Sequence, residues 1–219
     1  GRARVLKDRI VLDNMTLFTA SMTLSQLQAV SVDCVIMDEI WLAKEEAGGL
    51  IRYAKGRGHD RAAFKFINVS QASLAHSPWH HHVTQASEFH FGTTCDGCGE
   101  SFLYDWDFIK WDDVQLEAGG RDLDACADTA RLECPHCNHQ HKDEHNTRSR
   151  LSSRGSYTQT SWGRKRERTY YAPALCFRGT TWSSIVLQFL EANQEYKATD
   201  RAELLEIFET QRLVRFHVP

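Results

Sequence analysis

The chain has 219 residues, 42% hydrophobic and 25% charged, with a formal net charge of −3 at pH 7. This is ordinary for a soluble globular protein of one large domain, or one domain plus an insertion. It excludes a global field that pulls the chain toward nucleic acid, so any such contact must come from a local patch; no apolar run approaches the roughly 18 residues of a membrane span. The start, Gly1-Arg2-Ala3-Arg4-Val5-Leu6-Lys7, has no signal-peptide core, and a cytosolic protein is expected. Seven cysteines, four of them in two Cys-x-x-Cys pairs, point in a reducing compartment to metal and not to disulfides. Residue 1 is not Met, and Arg215-Phe216-His217-Val218-Pro219 offers no obvious terminal element, so a fragment is expected.

In chain order, Val5–Leu12 and Thr16–Ala20 read as short strands about an Asp13-Asn14 turn, and Leu24–Val30 as a connector. The next stretch, Val32-Asp33-Cys34-Val35-Ile36-Met37-Asp38-Glu39, carries four apolar residues straight into two carboxylates. It reads as a buried central strand of a parallel sheet, whose carboxyl end is where open α/β sheets place ligand chemistry. This is the pattern of a Walker B strand, in which the first acid holds Mg²⁺ and the second polarises the attacking water. A buried strand ending in solvated acids is the bland alternative. Leu50–Lys55 predicts a helical turn between Gly48-Gly49 and Gly56, and Phe64–Val69 another strand, ending at Ser70-Gln71. In such ATPases a Ser, Thr or Gln there often senses the γ-phosphate; two exposed loop residues are the simpler reading.

Trp79-His80-His81-His82 invites a metal reading, but on a strand only His80 and His82 share a face, and a hinge or surface loop is expected. Cys95-Asp96-Gly97-Cys98-Gly99 and Cys134-Pro135-His136-Cys137-Asn138 are the most specific local signal. Each places Gly or Asn directly after its second Cys, where a zinc knuckle needs a residue tolerant of positive φ. Two knuckles supply four thiolates for a tetrahedral Zn²⁺. Phe89-His90-Phe91 before the first pair and Phe102-Leu103-Tyr104 after it read as ribbon strands. Residues 99–133 separate the pairs, more than the common ribbon spacing of about 15–20, and Asp112–Asp128 is expected to protrude. Cys126, His136, His139 and His141 need not bind, because four thiolates already close a structural site.

Arg148–Arg168 carries Arg148, Arg150, Arg154, Arg164, Lys165, Arg166 and Arg168 against Glu167, with Tyr157 and Trp162 interleaved. This suits phosphate contacts and occasional stacking; a solvated loop is the alternative. Tyr170–Phe177 reads as a strand re-entering a core. Trp182, Ile185, Val186, Phe189 and Leu190 make the stripe of an amphipathic helix capped by Thr180 or Thr181. Asp200 and Glu203 suggest a capping box for a second helix that buries Leu204, Leu205, Ile207 and Phe208.

The order of these parts resembles the large terminase subunit of lambda-type tailed phages, the GpA-like DNA-packaging motor. The residues that carry the likeness are Val35–Glu39, Phe89–Phe91 leading to Cys95–Gly99, Cys134–Cys137, and Thr181-Trp182-Ser183 through Phe189-Leu190-Glu191-Ala192. The resemblance implies an ATPase that moves double-stranded DNA into a procapsid, and an endonuclease that cuts the concatemer. A small terminase subunit and a portal are the implied partners, in a homo-oligomeric ring without membrane contact, in the host cytoplasm. By position, Asp38 would hold Mg²⁺ with bound ATP, Glu39 would activate water, Ser70 would lie in the coupling segment, and Cys95, Cys98, Cys134 and Cys137 would bind zinc.

Two departures matter. No G-x-x-x-x-G-K-[ST] stands in the 219 residues, so the phosphate cradle and its lysine are missing, and Ser70-Gln71-Ala72 replaces the family's usual Ser-Thr-Pro. The nuclease site is expected after residue 219. The expected fold is α/β: a partial P-loop (ASCE-type) ATPase core with a parallel sheet over 1–86, an inserted β zinc ribbon over 87–147, and a basic segment, return strand and core helices over 148–219. Ribbon and core are expected to have separate hydrophobic interiors. A zinc-ribbon nucleic-acid-binding module without catalysis, and a helicase-type ATPase with a zinc insertion, are the competing readings.

Overall fold

The computed structural model describes residues 4–23, 25 and 31–218. The expected connector at Leu24–Val30 lies outside the described residues except for Ser25. The chain is mixed α/β and forms two compact units, Gly1–Ser70 and Gln71–Pro219.

The first unit opens with an antiparallel meander of β1 (Arg4–Val5), β2 (Arg9–Val11) and β3 (Thr16–Phe18). Ile10 pairs with Leu17 across the turn at Asp13-Asn14, where two residues with short polar side chains favour reversal. β4 (Cys34–Asp38) runs through a 3₁₀ segment, Ile40–Glu46, into α1 (Ala47–Gly56), and the chain returns as β5 (Lys65–Val69). Ala47, Leu50, Ile51 and Ala54 fall on one face of α1 and are buried. β4 and β5 pair in parallel, with Ile36 opposite Ile67 and Asp38 opposite Val69.

The expectation that β4 is buried on both faces is corrected. Exposure alternates along it: Met37 is buried, whereas Cys34, Ile36 and Asp38 are exposed, Ile36 at 65%. Ile67 and Val69 stand on the same open face as Ile36. Among the described residues the sheet has two strands, and only the face of Val35, Met37 and Phe66 is sheltered.

The second unit begins with α2 (Pro78–Thr84), which corrects the expected histidine loop. The Ser77 hydroxyl accepts from His80 N–H, Pro78 opens the first turn, and Trp79 and Val83 bury one side. A serine cap followed by proline is a helix-start signal. β6 (Ala86–Thr94) is the central strand of a mixed sheet. β7 (Ser101–Leu103) pairs antiparallel with its last residues. After β8 (Ile109–Lys110), α3 (Leu123–Asp128) folds inward with Cys126 fully buried, so the stretch expected to protrude contributes to the core. β9 (Arg131–Glu133) lies between β8 and β10 (Gln140–Lys142).

α4 (His145–Ser153) leads to β11 (Ser156–Ser161) and β12 (Arg164–Tyr171), which flank β6 on opposite sides, β11 antiparallel and β12 parallel. The basic segment is therefore helix and sheet, not a loop. The return strand ends at Tyr171, and Ala174–Cys176 is a 3₁₀ turn. In α5 (Trp182–Thr199), the Thr181 hydroxyl accepts from Ser184 N–H at 3.2 Å. Trp182, Ile185, Val186 and Leu190 are buried as the periodicity predicts; each such side chain contributes about 1.5–3 kcal/mol. Asp200 does not cap the next helix: it ends α5 in the left-handed region at φ 57°, and its N–H bonds Tyr196 C=O. α6 (Glu203–Ile207) starts without a side-chain cap and leaves Leu204 and Ile207 exposed, while Phe208 in the following π-turn fills the core.

One hydrophobic interior unites Cys95, Phe102, Ile109, Leu132 and Cys134 of the ribbon with Leu151, Leu175, Trp182, Ile185 and Phe208. The expectation that ribbon and core have separate interiors is corrected for residues 148–219, expected with the core, which share the interior of the cysteine-bearing hairpins, whereas among the described residues none of β4 or β5 belongs to it.

Candidate functional site

The four knuckle cysteines converge. Their Sγ atoms all lie within 4.8 Å of one another, with 3.8 Å between Cys95 and Cys137 and 3.8 Å between Cys98 and Cys134. Four sulfurs at Zn–S bonds of about 2.3 Å, tetrahedrally disposed, stand roughly 3.8 Å apart, so the residues fit a zinc ion. The two turns repeat the same backbone device. Gly99 N–H donates to Cys95 C=O and Asn138 N–H to Cys134 C=O, at 3.0 and 2.9 Å. Gly99 and Asn138 take φ of 76° and 58°, as the sequence requires of those two positions. Hairpins carry the knuckles: β6 and β7 hold the first, β9 and β10 the second. A backbone hydrogen bond from His139 draws the Cys137 thiol down, but desolvation and the crowding sulfurs of Cys98, Cys134 and Cys95 outweigh it and push it up to about 12. Thiols this close need a cation among them to ionise together.

Cys126 is buried and accepts from Val114 N–H at 3.2 Å, away from the cluster. His141 stands beside it: Nε2 lies 3.6 Å from Cys95 Sγ and Nδ1 3.5 Å from Asp96. Desolvation pushes the His141 ring below its ordinary range, against the pull of Asp96. Asp96, inside the first knuckle, is a feature sequence reasoning missed. Arg150 donates to it from Nε and Nη2, and Arg154 from Nη1 at 2.7 Å. The Arg150 hydrogen bonds hold the Asp96 carboxyl below the usual carboxylate range.

Asp38 ends β4 in the open, and Glu39 follows with φ 52°. Glu39 N–H donates to Val69 C=O at 2.8 Å, and the Trp41 indole N–H donates to Glu39 Oε2. Trp41 N–H donates to the Ser70 hydroxyl at 3.3 Å. The parallel register thus brings Asp38, Glu39 and Ser70 to one carboxyl edge.

The basic residues divide. Arg148 is withdrawn from the candidate nucleic-acid contacts: it is 7% exposed, ion-pairs with Asp143 and donates to Arg178 C=O. Arg150 and Arg154 are half exposed but tied to Asp96. Arg164 lies 3.6 Å from Glu167, and Arg164, Lys165, Arg166 and Arg168 are exposed on β12. On the β6–β12 face opposite Arg168, His90 and Tyr171 stack, and the Tyr171 hydroxyl donates to Glu88, lining a cleft of about 340 Å³ with Asp105 and Arg215.

Taken together these features define an α/β protein with a parallel strand pair ending in adjacent acids and a four-thiolate site suited to a metal such as zinc. Residues 2–162 match the family described as phage terminase large subunit gpA, ATPase domain, and the chain belongs to that family. Membership makes it part of a phage DNA-packaging motor of the ATPase class, with ATP and Mg²⁺ as the expected ligands. No curated protein and no solved structure matches it. Among the described residues no helix is long and apolar enough to cross a membrane.

Proposed function

We propose that the chain supplies the acid pair and coupling strand of a motor that hydrolyses ATP to drive double-stranded DNA into a procapsid in the host cytoplasm. The small terminase subunit, the portal and further copies in a ring are its partners, and concatemer cleavage belongs to a nuclease domain. The observation that carries this reading is the placement of Asp38, Glu39 and Ser70 on one edge of a parallel pair, within a chain of the terminase ATPase family.

In this reading Asp38 would hold the Mg²⁺ that accompanies ATP, and Glu39 would orient the attacking water and accept its proton. The Trp41 indole fixes the Glu39 carboxylate, and Ser70, bonded to the Trp41 amide, links the hydrolytic loop to β5. A zinc held by Cys95, Cys98, Cys134 and Cys137 would be structural, since four thiolates leave no open position. Arg150, Arg154, Arg164, Lys165, Arg166 and Arg168 contact DNA phosphates. The 219 residues contain no G-x-x-x-x-G-K-[ST], so this chain alone is expected to be inactive toward ATP.

The test is Asp38→Ala and Glu39→Ala in a terminase that carries a P-loop. ATPase loss with DNA binding intact supports the reading. Unchanged ATPase sinks it and favours a zinc-ribbon binding module, in which the acids are structural.

A further inference from the structure

The face of the β11–β6–β12 sheet that carries Phe89 has a character that phosphate contact does not explain. Strand register sets its composition. Tyr157 of β11 pairs with Phe91 of β6; Gln159 and Tyr170, from the two flanking strands, both pair with Phe89; Arg168 pairs with Ser87. Side chains alternate between faces along a strand, so Tyr157, Gln159, Phe89, Phe91, Tyr170 and Arg168 share one side. Glu88, His90 and Tyr171 fall on the other.

The rings form a continuous layer. Phe89 and Tyr170 stack at 5.1 Å, and Tyr157 stands edge-on to Tyr170 at 5.0 Å and to Phe91 at 5.1 Å. Arg168 lies over the Phe89 ring, 5.6 Å from its centre. Yet the layer is open: Tyr157 is 43% and Tyr170 50% exposed. Trp162, in the crossover from β11 to β12, is 89% exposed and is followed by the exposed cations Arg164, Lys165 and Arg166.

We propose that this face binds unpaired nucleic acid, with bases stacked on Tyr170 and Tyr157 and the backbone drawn along Arg168 and the exposed Lys165 and Arg166 in the register shift before it. The choice of occupant follows from the chemistry. Cations beside a ring layer complement a polyanion that also offers flat π-faces. A duplex offers phosphates and base edges, but its base faces are already covered, so exposed tyrosine rings gain nothing from it. A single strand offers both, and aromatic platforms on an open sheet take about two or three bases in this way. The inference rests on the nucleic-acid reading of the basic segment and adds the strandedness of the ligand and the residues that select it.

The test uses the zinc-loaded chain and fluorescence anisotropy with an oligo-dT strand of about 15 nucleotides and a duplex of the same length. Wild type is expected to bind the strand. Tyr157→Ala/Tyr170→Ala should lose roughly five-fold or more per ring in strand affinity, with duplex affinity unchanged. Tyr157→Phe/Tyr170→Phe should stay close to wild type, because stacking needs the ring and not the hydroxyl. Arg166→Gln/Arg168→Gln should weaken both ligands and flatten the salt dependence. Photocrosslinking of wild type to a strand containing 5-iodouracil gives a readout independent of variant folding, with adducts expected on Tyr157, Tyr170 or Phe89. An Ala variant that binds the strand like wild type, or adducts only elsewhere, overturns the inference. Duplex binding without strand binding overturns it and leaves the phosphate-contact reading standing; binding of neither removes both.

Discussion

Arg150 on α4 donates to the carboxylate of Asp96 at 2.7 Å, across 54 residues of sequence, and so ties a helix to the inside of the first cysteine knuckle. Arg154 completes the clamp from the next turn. Asp96→Ala should release both guanidiniums and leave His141 without its carboxylate. The arginines are about half exposed, so the cost should be about 1 kcal/mol, nearer the exposed ion-pair range than the value of a buried charged network. Its clearer signature should be faster zinc transfer to a chromogenic chelator, because residues around a metal site hold its ligands in place. Asp96 titrates below its ordinary value of 3.8 in the fold, so this stabilisation is present above that pH and is lost as pH falls through the lowered range. Unchanged melting and unchanged zinc release would refute the clamp.

Removing the metal should unfold more than the ribbon. Cys95 and Cys134 are buried in the same interior as Trp182 and Ile185, and Trp182 donates its indole N–H to Leu175 C=O at 3.0 Å. Chelation, or Cys134→Ser, is expected to weaken the near-ultraviolet dichroism through loss of the Trp106, Trp111 and Trp182 packing and to lower α5 helicity in one transition. Trp182→Ala should cost about 3–5 kcal/mol by cavity formation and sensitise zinc to chelator. Helix α5 surviving intact in the metal-free chain would show that the shared interior does not couple them.

The knuckles were legible because everything they need is local: two cysteines three apart and a residue that accepts positive φ. The α5 stripe was legible for a similar reason, since Trp182, Ile185, Val186, Phe189 and Leu190 recur at helical spacing within one helix. What failed was ambiguous or distant. An apolar run such as Cys34–Met37 reads alike whether a strand is covered on one face or two, and only the parallel partner β5 reveals which side is open. Asp200 has the chemistry of an N-cap, but the left-handed geometry that Asp tolerates lets it end α5 instead. At α2 the helix signal lies in Ser77-Pro78, before the three adjacent histidines, whose own sequence carries none. The Asp96 clamp had no sequence signal, because its donors come from residues 150 and 154.

In a terminase that carries a P-loop, Glu39→Gln should lower kcat by roughly 10²–10⁴, the usual contribution of a positioned general base, with little change in ATP affinity. Trp41→Phe is the more discriminating variant. It removes the indole donor to Glu39 but keeps an aromatic ring and leaves the backbone donor to Ser70 in place. A smaller fall in kcat is expected, about ten-fold, at unchanged DNA affinity. Equal turnover in Trp41→Phe and wild type would remove the indole from the hydrolytic loop.

The His90 imidazole supplies the pH dependence. Desolvation pushes it below its ordinary 6.5, while Glu88 and Asp105 pull the other way and are outweighed; Tyr171 covers its ring at 4.5 Å. A histidine with a lowered folded pKa is neutral in the fold and charged in the unfolded chain just below pH 6.5, so the unfolded state binds the extra proton. Its contribution is present above the unfolded pKa and is lost as pH falls from about 6.5 toward the lowered folded value. Zinc thiolates also protonate in acid, so wild type alone does not separate the two causes. His90→Gln does, because it leaves the four cysteines in place. Between about pH 7 and pH 5.5 the melting temperature of wild type should fall further than that of His90→Gln, and parallel curves would place the acid sensitivity outside His90, at the metal site or at His80 and His141, which desolvation also lowers.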